Sequence, residues 1–363
     1  MRSDSKKSRI APLKVSERAD LLPCSSSFPY ASVPRTLHSS EIGVYHDIDT
    51  IEDPVFERSS GHILVFDVGG SHVAAGASRI HEMTVAIPQS ASVSKDGSLS
   101  DFLEIVASLG ARALPPATTL DGVSVAMPNP FDCTRGISYM RHKYECLYGI
   151  DLRSKISRVL GCPADKIEFL NDAAAFLMGE IREGAARGAN RVVGITLGTG
   201  VGSAFAAEGE IVADGPGVPA GGEIWNLSYK DGIVEKFVSA SAIQEQFKAR
   251  TGALEEVQAI ASQSKSNPQA KETFDQFGWE LGKVLRLTCA EFRPQRIILG
   301  GGIARSASLI LPSAGQELAG LGIELCVSQL GERAALIGAA VDWMNKHEQV
   351  SWQRGSTNIT GDR

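Results

Sequence analysis

The chain has 363 residues, 43% of them hydrophobic and 21% charged, with a formal net charge of −6 at pH 7. That length allows two domains and a tail, and the composition is that of a globular protein. The acidic balance argues against a protein that works as a whole on nucleic acid. No apolar run approaches the roughly 18–20 residues that span a bilayer, so a membrane is not expected as a partner either. The six cysteines are scattered and never form C-x-x-C. Together with the lack of an apolar segment after Met1–Lys7, this points to reduced thiols in a cytoplasmic protein.

Residues 1–60 are rich in Ser, Pro and charge and read as an extension, in part disordered, whose basic residues are solvated. The strand pattern starts at His62–Asp67, turns at Gly69-Gly70, and continues in Val73–Ala77 and Met83–Ile87. A helix is expected over Leu99–Ala113, where Leu99, Phe102, Leu103, Val106 and Leu109 recur at helical spacing. A strand Gly122–Ala126, a helix Leu152–Leu160 and a strand Lys166–Leu170 follow. The scheme then repeats: strands Arg191–Leu197, Gly202–Ala207 and Glu210–Val212, helical stretches Ile233–Thr251 and Asn267–Phe292, a strand Arg296–Leu299 and a helix Ala334–Lys346. Strand–turn–strand followed by helices and further strands, twice over, predicts two duplicated α/β domains, 61–175 and 176–333. A cleft should lie between them, with the helix 334–347 packing back on the first domain and 348–363 as a tail.

Two glycine-rich turns stand out. The first is Asp67-Val68-Gly69-Gly70-Ser71-His72 and the second Leu197-Gly198-Thr199-Gly200-Val201-Gly202. Glycine lets main-chain N–H groups approach and surround a phosphate. Either turn alone could be a plain hairpin. A dinucleotide fingerprint must open a helix, whereas the second turn runs into another apolar strand, and no G-x-x-x-x-G-K-[ST] occurs. A third cluster, Gly300-Gly301-Gly302, follows a strand and leaves room for a flat base or ribose against the backbone.

Asn171-Asp172-Ala173-Ala174-Ala175 places a carboxylate between a strand and a helix. Asp172 suits a helix N-cap, and it equally suits a general base that accepts a proton from a substrate hydroxyl, a group that phosphoryl transfer requires. Taken together, these motifs resemble the ROK family of sugar kinases and sugar-responsive repressors, over roughly residues 61–347. The resemblance implies two ribonuclease-H-like (actin-like ATPase) domains and a glucokinase-like reaction with ATP and Mg²⁺. It assigns Asp67, Gly69, Gly70 and Ser71 (where the family usually has Thr) to the first phosphate motif, with Asp67 holding Mg²⁺ through water. Gly198, Thr199 and Gly200 match the second phosphate motif, and Gly301 and Gly302 the adenosine motif. Asn171 would bind sugar, and Asp172 would bind sugar and act as the base.

The chain also departs from the family. Gly222-Glu223-Ile224-Trp225-Asn226 resembles the G-E-x-G-H signature, with Trp225 for Gly and Asn226 for His. The cysteine-rich segment is reduced to Asp231-Gly232-Ile233-Val234-Glu235, which keeps only its closing Glu. Zinc needs its full set of thiolate and imidazole ligands, so no zinc is expected. Glu223, Asn226 and Glu235 remain as sugar-binding candidates. Met127-Pro128-Asn129-Pro130 resembles the family's P-G-P-x-D turn with Asn129 for Gly, and Asn129 could contact sugar or simply form the turn. The stretch 139–144 is basic and aromatic, and His142 is given no catalytic role. ROK repressors carry an N-terminal helix-turn-helix, but five prolines (12, 23, 29, 34 and 54) interrupt residues 1–60. The expected activity is phosphorylation of a hexose, with glucose first. Another hexose or N-acetylhexosamine, polyphosphate as donor, or a silent sugar sensor are the alternatives. A homodimer is compatible with the resemblance.

Overall fold

A computed structural model describes residues 61–356, apart from 81, 83–84, 86–87, 95 and 142–143. The extension 1–60, most of the strand expected at 83–87, His142 and residues 357–363 lie outside the described residues. The first half runs β1 (His62–Val68), β2 (His72–Arg79), β3 (Gln89–Ser92), α1 (Leu99–Ala113), β4 (Leu120–Met127), a small hairpin of β5 (Phe131–Asp132) and β6 (Ile137–Ser138), α2 (Leu152–Leu160), β7 (Ile167–Asn171) and α3 (Asp172–Glu183). The second half runs β8 (Arg191–Leu197), β9 (Val201–Ala207), β10 (Glu210–Val212), a hairpin of β11 (Ser228–Tyr229) and β12 (Gly232–Ile233), α4 (Val234–Phe237), α5 (Ala240–Thr251), α6 (Val257–Gln263), α7 (Pro268–Cys289), β13 (Arg296–Gly300), α8 (Ala307–Leu318), β14 (Glu324–Val327) and α9 (Arg333–Ser356).

The two sheets have the same plan. The first is ordered β3-β2-β1-β4-β7 and the second β10-β9-β8-β13-β14. In each, three antiparallel strands are extended by two parallel ones. The third strand described in the first sheet is Gln89–Ser92; of the strand expected at Met83–Ile87 only Val85 is among the described residues, and it bridges to Ser78.

Local chemistry sets the ends of the elements. Ser98 opens α1 with a reciprocal capping box: its hydroxyl accepts the Asp101 N–H (3.2 Å) and the Asp101 carboxylate accepts the Ser98 N–H (2.8 Å). Phe102, Val106 and Leu109 of that helix are buried on the first sheet. The expected helix over Ile233–Thr251 is two, because Val238 (φ −132°, ψ 40°) leaves helical geometry. α6, only seven residues long, escaped the sequence pattern. α8 carries Pro312 inside it.

Two helices lie between the sheets. α9 packs on β1, β2 and β4 and α3 on β8 and β9, and the two helices pack on each other. They cross on bare backbone: a Cβ at Gly179 would lie 2.0 Å from the Ala334 carbonyl oxygen, and one at Gly338 would lie 1.8 Å from that of Ala175. The boundary drawn at residue 175 falls inside α3, which leaves β7 of the first sheet and packs on the second.

Candidate active site

Residues from both halves line one cavity of about 1790 Å³. Single-ligand pockets typically run to roughly 300–1,000 Å³, so this one has room for two ligands side by side. The β1–β2 turn contributes Asp67, Gly69, Gly70 and Ser71, and the β8–β9 turn contributes Gly198, Thr199 and Gly200. The two turns meet face to face: a Cβ on Gly70 would lie 3.7 Å from the Thr199 hydroxyl. Each is closed by its own backbone, Gly69 N–H to His72 C=O (2.9 Å) and Gly198 N–H to Gly200 C=O (3.0 Å). The buried Tyr144 hydroxyl donates to the Gly69 carbonyl and braces the first turn. Burial, with smaller contributions from the charges of Asp67 and Cys146, pushes that phenol up to about 12, so it keeps the proton it donates.

Asp172 lines the same cavity at the first turn of α3. The helix cap is Asn171 rather than Asp172. The Asn171 side-chain oxygen accepts the Ala174 N–H (3.0 Å), and its amide donates to Asp172 Oδ1 (3.2 Å). Asp172 Oδ1 also accepts the Ala173 N–H (2.8 Å), so the helix terminus orients the carboxylate. Asp67 stands near it at the end of β1. Withdrawal from water, then the charges of Asp172 and Glu332, push the Asp67 carboxyl up to about 7. Asp67 thus lies in the cavity lined by the two glycine-rich turns, with the charges of Asp172 and Glu332 close enough to act on it. The described residues hold no cluster of three His, Cys, Asp or Glu side chains that could cage a metal unaided. Asp67 is the carboxylate of the first turn that could meet a cation there.

Glu223, Glu235 and Asn129 also line the cavity, as does Trp225; Asn226 is half-buried next to Trp225 and is not among the lining residues. The segment that carries Glu223 is fixed from below by Ser203 of β9, whose hydroxyl donates to the Gly222 carbonyl (2.6 Å) and accepts the Ile224 N–H (3.0 Å). Both oxygens of Glu223 are engaged: one accepts from the Asn129 amide, the other from the Trp225 indole N–H (2.9 Å). Glu235 instead reaches under the second turn, where its carboxylate accepts the Val201 N–H (2.9 Å). Gly200 makes that approach possible, since a Cβ there would lie 2.3 Å from the Glu235 carboxylate.

Gly301 and Gly302 line the same cavity. Gly301 has φ +82°, and a Cβ on it would lie 2.3 Å from the Leu197 carbonyl, so only glycine fits. Gln258, Ser262 and Lys265, from α6 and the residues after it, line the cavity too, with Arg305 and Arg333. No local motif announced them; only the fold brings α6 to the cleft.

A model of the ROK family matches residues 64–346. The chain belongs to the ROK family. It is 26% identical over 218 residues to a glucokinase of Halalkalibacterium halodurans, a match covering 51% of this chain and 65% of that protein. It is 27% identical over 252 residues to a glucokinase of Thermotoga maritima, covering 60% and 77%. A DNA-binding transcriptional repressor of Escherichia coli, Mlc, is 22% identical over 53% of this chain and 51% of its own. Among solved structures, a ROK family glucokinase of Streptomyces griseus in complex with glucose and AMPPNP superposes with a TM-score of 0.67 at 22% identity, covering 77% of this chain and 98% of that one. The fold is that of the ROK kinases, an α/β fold of two actin-like ATPase domains about a cleft.

Proposed function

We propose that this ROK protein is a cytoplasmic, ATP-dependent hexose kinase whose acceptor is the 6-hydroxyl of glucose. The observation that carries the reading is the facing pair of main-chain turns with Asp172 in the same cleft. Phosphoryl transfer asks a protein for position and charge neutralisation more than for covalent chemistry. Asn171 and Glu223 hold ring hydroxyls, with Glu235 at the acceptor's edge. Asp172 accepts the proton from the attacking oxygen as the bond to the terminal phosphorus forms. The N–H groups of the two turns take up charge on the phosphoryl oxygens, and Gly301 and Gly302 bed the nucleoside. Asp67 would hold Mg²⁺ through water, and the ion when bound would supply charge neutralisation at the phosphates. Closure of the lobes keeps water from the phosphoryl group.

The glucokinase relatives and the fold of the glucose-bound Streptomyces enzyme support this reading, and the repressor relative supplies its rival. A similar fold, with a TM-score of 0.58, belongs to a polyphosphate/ATP glucomannokinase of Arthrobacter. The test is a panel of hexoses and N-acetylhexosamines against ATP and polyphosphate, read by product formation. Glucose with ATP should give the highest kcat/KM. Binding of a sugar with no turnover on either donor would leave a sensor and refute the kinase.

A further inference from the structure

Two residues that depart from the family pattern converge on one carboxylate. Asn129 follows β4 in the first lobe, and Glu223 and Trp225 belong to the second. The Asn129 amide donates to one oxygen of Glu223 and the Trp225 indole to the other (2.9 Å). All three line the cleft beside Asn171 and Asp172. Below them Ser203 fixes the backbone on either side of Glu223, and the Glu235 N–H bonds the Trp225 carbonyl (3.0 Å). Glu223 therefore has a set backbone, a set side chain and one donor from each lobe.

We infer that Asn129 and Trp225 are positioning residues: together they hold Glu223 in the one orientation from which it accepts an acceptor hydroxyl, with Asn129 doing so from the opposite lobe. This rests on the sugar-binding role of Glu223 proposed above. A carboxylate has about four acceptor sites, so two donors leave it able to take a hydroxyl on each oxygen. A glutamate held this way loses little side-chain freedom when sugar arrives, and preorganisation of that kind appears as affinity. Glycine at either position, as in the family pattern, would leave Glu223 free to turn. The indole also walls the acceptor end of the cleft, where it excludes bulk that a glycine would admit.

The test compares the full chain with Asn129→Gly, Asn129→Asp and Trp225→Phe, by steady-state kinetics and by calorimetric titration of glucose. Losing a hydrogen bond to a charged group is worth about tenfold or somewhat more. Asn129→Gly should therefore raise the glucose KM and Kd about tenfold or more, while kcat and the KM for ATP stay within about threefold. Asn129→Asp sets two carboxylates against each other, so its glucose Kd should climb as pH rises from about 5 to 8, a dependence absent from the glycine variant. Trp225→Phe keeps the ring and loses the N–H, and should weaken glucose by a smaller factor. A glucose Kd for Asn129→Gly within twofold of the parent overturns the inference. So does an equal rise in the KM for ATP, which would mark general disruption. A parent chain that binds glucose but phosphorylates nothing sinks the kinase reading alone and leaves the titrations to decide this one; a parent that binds no hexose overturns both.

Discussion

Between Glu223 and Glu235 the chain makes the hairpin β11–β12, pinned to α7 by a single buried carboxylate. Glu280 is 2% exposed and accepts from the Tyr229 hydroxyl (2.8 Å), the Lys230 ammonium (2.5 Å) and the Gln276 amide (2.9 Å). In Glu280→Ala the Tyr229 hydroxyl, on a residue only 6% exposed, loses its acceptor. A buried orphan of that kind costs about 1–3 kcal/mol. The void left by the side chain adds about 1 kcal/mol, so the expected loss is about 2–4 kcal/mol. Lys230 can turn to water and adds little. Lys236→Ala is the control, because it breaks the pair between Lys236 of α4 and Asp231 of the same hairpin, whose side chains are 51% and 75% exposed. Exposed pairs contribute next to nothing, and no measurable change is expected. The hairpin continues directly into Glu235, whose N–H bonds the Trp225 carbonyl, so Glu280→Ala should raise the sugar KM more than the nucleotide KM. Urea denaturation at pH 7 reads the stability and a two-substrate kinetic grid reads the rest. If Glu280→Ala unfolds at the same urea concentration as Lys236→Ala, the pinning argument is wrong.

Three further outcomes are expected. Asp172→Asn should lower kcat by at least about 10²–10⁴-fold with little change in the glucose Kd; a near-parental kcat would remove Asp172 as the base. Asp67→Asn should abolish activity yet stabilise the metal-free protein at high pH. The folded Asp67 carboxyl holds its proton up to about pH 7 and the unfolded one only to about 3.8, so native Asp67 costs stability that grows as pH rises through that window. In EDTA the advantage of the Asn variant should widen by about 2 kcal/mol between about pH 5.5 and 8.5, and a gap that stays constant with pH would refute it. Gly338→Ala forces a Cβ to within 1.8 Å of the Ala175 carbonyl oxygen, so α3 and α9 must move apart. A thermal midpoint several degrees lower is expected by calorimetry, and an unchanged one would mean the crossing is looser than described.

Much of this was legible in local pattern. The two glycine-rich turns announce themselves by composition, each directly after an apolar strand. The α1 and α2 helices matched their predicted spans residue for residue because apolar spacing agreed with capping chemistry: Ser98 at the first and Asp151 at the second. What was hidden depends on pairs distant in sequence. Asn129 and Glu223 lie 94 positions apart, and nothing near either tells that one holds the other. Glu235 reads as a sugar ligand by its motif, but its hydrogen bond to Val201 appears only once α4 is laid beside the second turn. Asp172 looked like the cap because Asp caps well; Asn171 took that role one residue earlier and freed the carboxylate to be aimed. Asn226 sits within its motif, but the bulkier Trp225 occupies the cavity wall beside it.

The α3 helix begins at Asp172, springs from one sheet and rests on the other, and meets α9 with no side chain between their backbones. A joint made this way works as an axle: its clearance is set by peptide geometry, and surface substitution cannot loosen it. Whatever swing the halves perform, the carboxylate at the axle's tip travels least. On the reading proposed above, Asp172 and the acceptor oxygen would then be aligned once, by the static framework, leaving the rim of the cleft to evolve new substrates without disturbing the chemistry.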